Sequence, residues 1–205
     1  PWTMSQTLDA ISILIEKREP TFFITANLNY AMLVDQSPAL KRLNDQARFL
    51  LADGMPLVWA SKLQRNPLPE RVAGSDLIYR VAEQAAEKGH RLFLLGAGPG
   101  IAETAGKKLQ EKYPGLQIAG TECPPFRALS PKEHEALLER IRSTRPDILM
   151  VAFGQPKGEL WIAENLERLQ IPVSVQVGAS LDFVAGIVKR SPKLLQKVGL
   201  EWFYR

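Results

Sequence analysis

The chain has 205 residues, 45% of them hydrophobic and 23% charged, the balance of an ordinary folded protein with enough length for one full core. A net charge of +4 is too mild a bias to mark a nucleic-acid-binding chain, and no apolar run approaches the roughly 18 residues that cross a bilayer. The single cysteine, Cys123, excludes an internal disulfide and offers no metal-binding cluster. A cytoplasmic location is the expectation, because no signal-peptide pattern opens the chain; its start at Pro1 rather than Met reads either as processing or as a cloning scar.

In chain order, segments of strand and helix character alternate. Residues 21–25 read as a strand and residues 30–43 as mixed helix. The apolar run 49–52 reads as a buried strand or helix segment that leaves through Gly54, with residues 56–63 helical and Pro56 at the first helical position. Residues 75–88 form a helix capped by Ser75 and ended by Gly89. A strand over 91–95 closes at Gly96, a helix follows over 101–112, and a strand over 116–120 comes next. Ser130, Pro131 and Glu133 spell a capping box that opens a further helix. Residues 148–153 are a fully apolar strand, 158–168 a helix, and 173–177 a strand ending at Gly178. The Pro-rich stretches 66–69 and 123–126 read as loops. This rhythm predicts an α/β fold, a single Rossmann-like domain with a mostly parallel sheet and helices on both faces.

In such sheets ligands bind at the carboxyl ends of the strands, and the candidate residues collect there. Asp53, between an apolar run and Gly54, is placed to be partly desolvated and to take a proton from a substrate hydroxyl; it can equally cap the next helix. The turn Gly96-Ala97-Gly98 lies between strand and helix, where glycine backbone and helix amides suit a phosphate, although a tight turn alone also calls for glycine. It fits a nicotinamide fingerprint poorly, since the third small residue would fall at Ile101; Glu122 nevertheless stands near where a ribose-binding acid belongs. Gly154-Gln155-Pro156-Lys157 and Gly178-Ala179-Ser180-Leu181-Asp182 follow two further strands. Gln155 offers both a donor and an acceptor, Lys157 either meets phosphate or is solvated, and Asp182 is a second acid or a first-turn helix residue. Arg71 can clamp a diphosphate or pair with Glu70 or Asp76. His90 and His134 lack any triad or metal pattern and read as structural.

Several motifs taken together resemble one family. Thr25-Ala26-Asn27-Leu28-Asn29, Ala52-Asp53-Gly54-Met55-Pro56, Arg71-Val72-Ala73-Gly74-Ser75-Asp76, Leu94-Leu95-Gly96-Ala97, residues 153–159 and Val177-Gly178-Ala179 are similar, in order and across nearly the whole chain, to the WecG/TagA/CpsF glycosyltransferases (glycosyltransferase family 26). The resemblance implies an inverting transfer of N-acetylmannosamine from UDP-N-acetylmannosamine to undecaprenyl-diphosphate-linked N-acetylglucosamine, a step of wall teichoic acid assembly. It implies that no cofactor or metal is needed, that the protein is peripheral on the inner face of the cell membrane, and that nucleic acid is no partner. It maps the catalytic base to Asp53 and substrate contacts to Thr25, Asn27, Arg71 and Gln155. Nucleotide contacts are expected at Gly96, Gly98, Gly154 and Gly178. The competing readings are an NAD-dependent oxidoreductase, resting on the glycine turn and Glu122, and a non-catalytic nucleotide-sugar-binding protein.

The expected organisation is a glycosyltransferase domain over 1–188 and the start of a basic, aromatic C-terminal appendage over 189–205. There Lys189, Arg190, Lys193, Lys197 and Arg205 stand with Trp202, Phe203 and Tyr204, a pairing that suits either an anionic membrane interface or a helix packed on the core. Family members continue past this point, so the appendage reads as truncated. Leu194, Leu195 and Val198 permit a membrane contact or a homo-oligomeric interface.

Overall fold

The apolar runs pair with one another, and every pair is parallel. A computed structural model describes residues 2–65 and 67–188. Among these, β1 (Thr21–Ala26), β2 (Leu50–Ala52), β3 (Arg91–Gly96), β4 (Gln117–Glu122), β5 (Ile148–Ala152) and β6 (Val173–Gln176) form one sheet in the order β2-β1-β6-β5-β3-β4. Parallel neighbours need crossover helices, which cover both faces and exclude water from the strands. The central strands are accordingly unbroken apolar runs: residues 22–24, 92–95 and 148–151 are all buried.

Alternate strand residues face opposite layers. Phe23, Leu92, Leu94, Met150 and Val175 pack with α1 (Met4–Lys17), α5 (Gly74–Lys88), α6 (Ile101–Lys112) and α9 (Ser180–Ala185). Phe22, Ile24, Phe93, Leu149 and Val151 pack with α2 (Leu28–Gln36), α3 (Pro38–Gln46), α7 (Pro131–Ser143) and α8 (Lys157–Leu169). A short helix, α4 (Met55–Leu63), follows β2. Each large side chain fully removed from water contributes about 1.5–3 kcal/mol, so the two layers hold the strand ends in fixed register.

Local chemistry accounts for the boundaries. Ser130 and Glu133 close the expected capping box on α7, and Gly89 ends α5 in the left-handed region at φ 74°. Three expectations are corrected. The mixed helix at 30–43 is two helices, because Pro38 disfavours helical backbone at Ser37, which turns extended and caps α3 with its hydroxyl. Ser75 does not cap α5; the cap position is Ala73, without a side-chain bond, and Ser75 lies in the first turn. Pro56 is the second residue of α4, which begins at Met55. α1, opened by a Thr3–Gln6 capping box, has no counterpart in the sequence reading. The appendage at 189–205, with Leu194, Leu195, Val198 and the aromatic cluster 202–204, lies outside the described residues.

Candidate functional site

The strand order creates a crevice. β1 passes the chain to α2 on one face, whereas its neighbour β6 passes it to α9 on the other. Connections that diverge from adjacent strands leave an opening at the carboxyl edge of the sheet. A cavity of about 450 Å³ lies there. Its lining includes Thr25, Asn27, Asp53, Arg71, Gln155 and Gly178. Six of the positions expected from the sequence are thus brought together, although they are spread over more than 150 residues of chain.

Register explains the convergence. Thr25 pairs with Leu51 and Ala26 with Ala52, so Asp53 leaves β2 beside the end of β1, and its N–H donates to Ala26 O at 2.8 Å. Asp53 is half-buried. It does not cap α4: the cap position is Gly54, with no side-chain bond. The first turn of α5 lies close by: a Cβ at Gly74 would stand 3.5 Å from Asp53 Oδ2 and 3.6 Å from Ser180 Oγ, at ordinary van der Waals contact. Arg71 reaches the cavity from the loop before α5 and pairs with Asp76 at 3.0 Å, so the ion-pair reading and the cavity placement both hold.

Thr25 is buried, and its hydroxyl donates to Gln176 O at 3.1 Å, tying β1 to β6. Asn27 caps α2 by accepting from Tyr30 N at 2.9 Å, which leaves its amide nitrogen as the end it can offer a ligand. Gln155 follows β5, through a cis peptide bond to Pro156, and donates from Nε2 to Thr25 O (2.8 Å) and to Glu159 Oε1 (2.7 Å). Burial pushes the Glu159 carboxyl up to about 7, against the opposing pull of the Gln155 hydrogen bond. Burial, with the nearby Glu159 charge, pushes Tyr30 up to about 12; its hydroxyl donates to Asn44 Oδ1 at 2.9 Å.

α2, α4 and α5 all begin at this cavity, through Asn27 and Leu28, Pro56, and Ser75. First-turn amides and aligned peptide dipoles favour an anion at such ends. With the Arg71 guanidinium, they give the cavity a diphosphate-compatible side, and Asp53 gives it a basic oxygen. The three polar side chains of Thr25, Asn27 and Gln155 can orient hydroxyl or amide groups between them.

Other expected positions lie elsewhere. Gly96, Gly98 and Gly154 are not among the cavity-lining residues. Gly96 has a structural requirement of its own: at φ 102°, a Cβ would lie 2.7 Å from Ala152 O and 2.8 Å from the Phe153 ring. β3 stands four strand spacings from β2, roughly 19 Å, and α6 leaves it on the face opposite α8. Glu122 accepts from Arg140 Nε at 2.5 Å rather than standing ready for a ribose, which removes the support it gave an NAD-dependent reading. Asp182 is a first-turn residue of α9 and Lys157 is exposed, as their simpler readings have it. His134 bonds to Asn165 Oδ1 at 2.7 Å and packs edge-on to Trp161. Burial lowers His90 and raises the Cys123 thiol, and Cys123 Sγ contacts Ala97 O.

Sequence reasoning gave no role to Gln176 and Phe183, which line the cavity, nor to Glu159 beneath it, and it held Asn29 and Ser180, which also line the cavity, only as members of candidate stretches. Two of them had a signal. Gln176 interrupts the valines of β6, and Glu159 falls on the buried stripe of α8 shared with Ile162 and Leu169.

The sequence model of the Glycosyl transferase WecG/TagA/CpsF family matches residues 1–205. The chain is 31% identical to an N-acetylglucosaminyldiphosphoundecaprenol N-acetyl-beta-D-mannosaminyltransferase of Staphylococcus aureus (strain NCTC 8325 / PS 47), over 99% of this chain and 79% of that protein. It is 30% identical to a protein of the same name from Bacillus spizizenii (strain ATCC 23059 / NRRL B-14472 / W23), over 93% of this chain and 72% of that protein. By its sequence along its whole length, the chain belongs to the WecG/TagA/CpsF glycosyltransferase family.

Proposed function

We propose that the protein transfers N-acetylmannosamine from UDP-N-acetylmannosamine to N-acetylglucosaminyldiphosphoundecaprenol, with inversion to a β linkage. The observation that carries this reading is the convergence of Asp53, Arg71, Thr25, Asn27 and Gln155 on one cavity at the switch between β1 and β6. The names of the two relatives supply the substrate class.

In the proposed step the acceptor hydroxyl oxygen bonds to the anomeric carbon of the donor. The anomeric C–O bond to the diphosphate breaks, and its electron pair leaves with UDP. Asp53 takes the hydroxyl proton, a contribution of about 10²–10⁴-fold for a positioned base. Positive charge on the sugar and negative charge on the diphosphate both grow on the way to the transition state. Arg71 and the first-turn amides meet the diphosphate charge with fixed donors, each of the order of 10²–10³ in rate by analogy with oxyanion sites. Thr25, Asn27 and Gln155 orient the sugar. The charge is met without a metal ion, so turnover in excess EDTA is expected to equal turnover in its absence.

The acceptor's lipid calls for work at a membrane surface. No helix among the described residues is long and apolar enough to cross a membrane, while Leu28 on α2 and Trp59 and Leu63 on α4 expose apolar surface on helices that start at the cavity. This supports a peripheral placement on the inner face of the cell membrane. The test is incubation with UDP-N-acetylmannosamine and a lipid-linked N-acetylglucosamine analogue. Release of UDP in equal amount with a β-linked disaccharide is expected; binding of NAD without binding of UDP would contradict the proposal.

A further inference from the structure

The short helix after β2 carries more apolar surface than the fold covers. Apart from Ser61 and Lys62, α4 is apolar throughout, yet Val58 is its only buried residue. Pro56, Trp59, Ala60 and Leu63 follow the i, i+3, i+4, i+7 spacing of one helix face, the stripe that ordinarily turns to a core. Here it turns outward: Ala60 is exposed, Trp59 is 43% exposed and Leu63 87%. The stripe begins at the cavity, which Pro56 lines. Leu28, another lining residue, and Met32 one turn along α2 add side chains that are 49% and 59% exposed. Single exposed apolar residues need no explanation, whereas a stripe continuous with a binding cavity marks a docking surface.

Charge and length narrow the occupant. Residues 54–69 contain no acid, and their two bases, Lys62 and Arg65, are exposed at the far end of the stripe. Apolar side chains with a tryptophan, rimmed by bases alone, suit the acyl boundary beneath anionic headgroups, which lysine and arginine stems can reach. Nine residues of helix measure about 14 Å, too short to cross a bilayer and long enough to lie in its surface. A second copy fits less well, because a two-fold axis through α4 would set Lys62 and Arg65 against their own kind with no acid on the helix to pair them. The helix is held from behind: Ser61 Oγ donates to Val58 O at 2.7 Å and accepts from Leu68 N at 2.9 Å, which ties the following loop to it.

We propose that α4 seats the protein on an anionic bilayer. Its outward stripe enters the acyl boundary, Lys62 and Arg65 meet the headgroups, and the cavity mouth is brought to the surface at which a lipid-linked acceptor is presented. The role of the acceptor rests on the function proposed above; the seating itself is read from α4.

Binding is measured by sedimentation with vesicles of phosphatidylcholine, with and without phosphatidylglycerol. Insertion is measured with an environment-sensitive fluorophore on Leu63→Cys in a Cys123→Ser background. Ile13→Cys, at an exposed position of α1, is the control. On phosphatidylglycerol vesicles the label at position 63 should shift to the blue and become protected from iodide, while the label at position 13 stays in water. Trp59→Gln/Leu63→Gln and Lys62→Gln/Arg65→Gln should each bind these vesicles about tenfold more weakly. Both should keep transfer to a short-chain, water-soluble acceptor analogue within about twofold of wild type.

A label at position 63 that stays open to iodide on vesicle-bound protein overturns the proposal. So does protection that develops without vesicles alongside a doubled mass in sedimentation velocity, the mark of a second copy. Equal binding to vesicles with and without phosphatidylglycerol overturns it as well. If seating is found and no acceptor is glycosylated, the function proposed above fails and the seating stands. If transfer to the soluble analogue is normal and seating is absent, this inference alone fails.

Discussion

A carboxyl group as deeply buried as Glu159 carries its charge at a penalty that depends on pH. Its ordinary value of 4.5 is raised to about 7 in the folded protein, first by desolvation. Between those values the native state holds a proton that the unfolded chain has released. The native state is therefore favoured fully below about pH 4.5 and loses that favour as pH rises to about 7, a change on the order of 3 kcal/mol. Glu159→Gln removes the titration. In urea denaturation the variant should match wild type near pH 5 and exceed it at pH 8; a difference of equal size at both values would contradict the assignment. At this scale the sequence was most legible where a polar residue follows an apolar run. Thr25, Asn27, Asp53 and Gln155 each stand at a strand end, and the cavity holds them all. Glu159 and Gln176 were not legible because they lie inside elements, where a polar residue reads as one face of a helix or as a flaw in a strand until the packing is known.

At the level of elements, two glycines perform different tasks. The missing Cβ of Gly96 lets β3 lie against the Ala152 carbonyl and the Phe153 ring of the neighbouring strand, with φ in the left-handed region. Backbone cannot yield there, so Gly96→Ala should cost about 1–3 kcal/mol in stability from overpacking. UDP affinity in the folded fraction should hardly change, because Gly96 does not line the cavity. A Cβ at Gly158, by contrast, would meet the Gln176 amide at 2.6 Å. That amide ends a side chain able to move. Gly158→Ala should therefore alter stability less and weaken UDP-sugar binding more, because Gln176 is pushed within the cavity it lines. Thermal melts and titrations on the pair check this; identical profiles would contradict it. Element boundaries were readable where capping chemistry is local, as at Ser130 and Glu133, and at Gly89. They failed where a cap needs no side chain, as at Ala73, and at Ser37-Pro38, where helical periodicity runs on across a break in the backbone.

For the molecule as a whole, the alternation of strands and helices declared a parallel α/β sheet, and the sheet has that form. Strand order is set by packing between layers and cannot be read from succession along the chain. The glycine turn after β3 therefore looked equivalent to the turns after β1, β2, β5 and β6, whereas the order β2-β1-β6-β5-β3-β4 sets it aside from the cavity. The same order brings Asp53 and Gln155 to one opening, from strands that are separated by about a hundred residues. The account then turns on whether the Asp53 carboxylate takes the acceptor's proton. The decisive measurement is the turnover of Asp53→Asn with UDP-N-acetylmannosamine and a lipid-linked acceptor, beside its melting temperature and its affinity for UDP. The account predicts a fall in kcat of about 10²–10⁴-fold with melting temperature and UDP affinity near those of wild type. Turnover close to wild type in a folded, UDP-binding variant would contradict it.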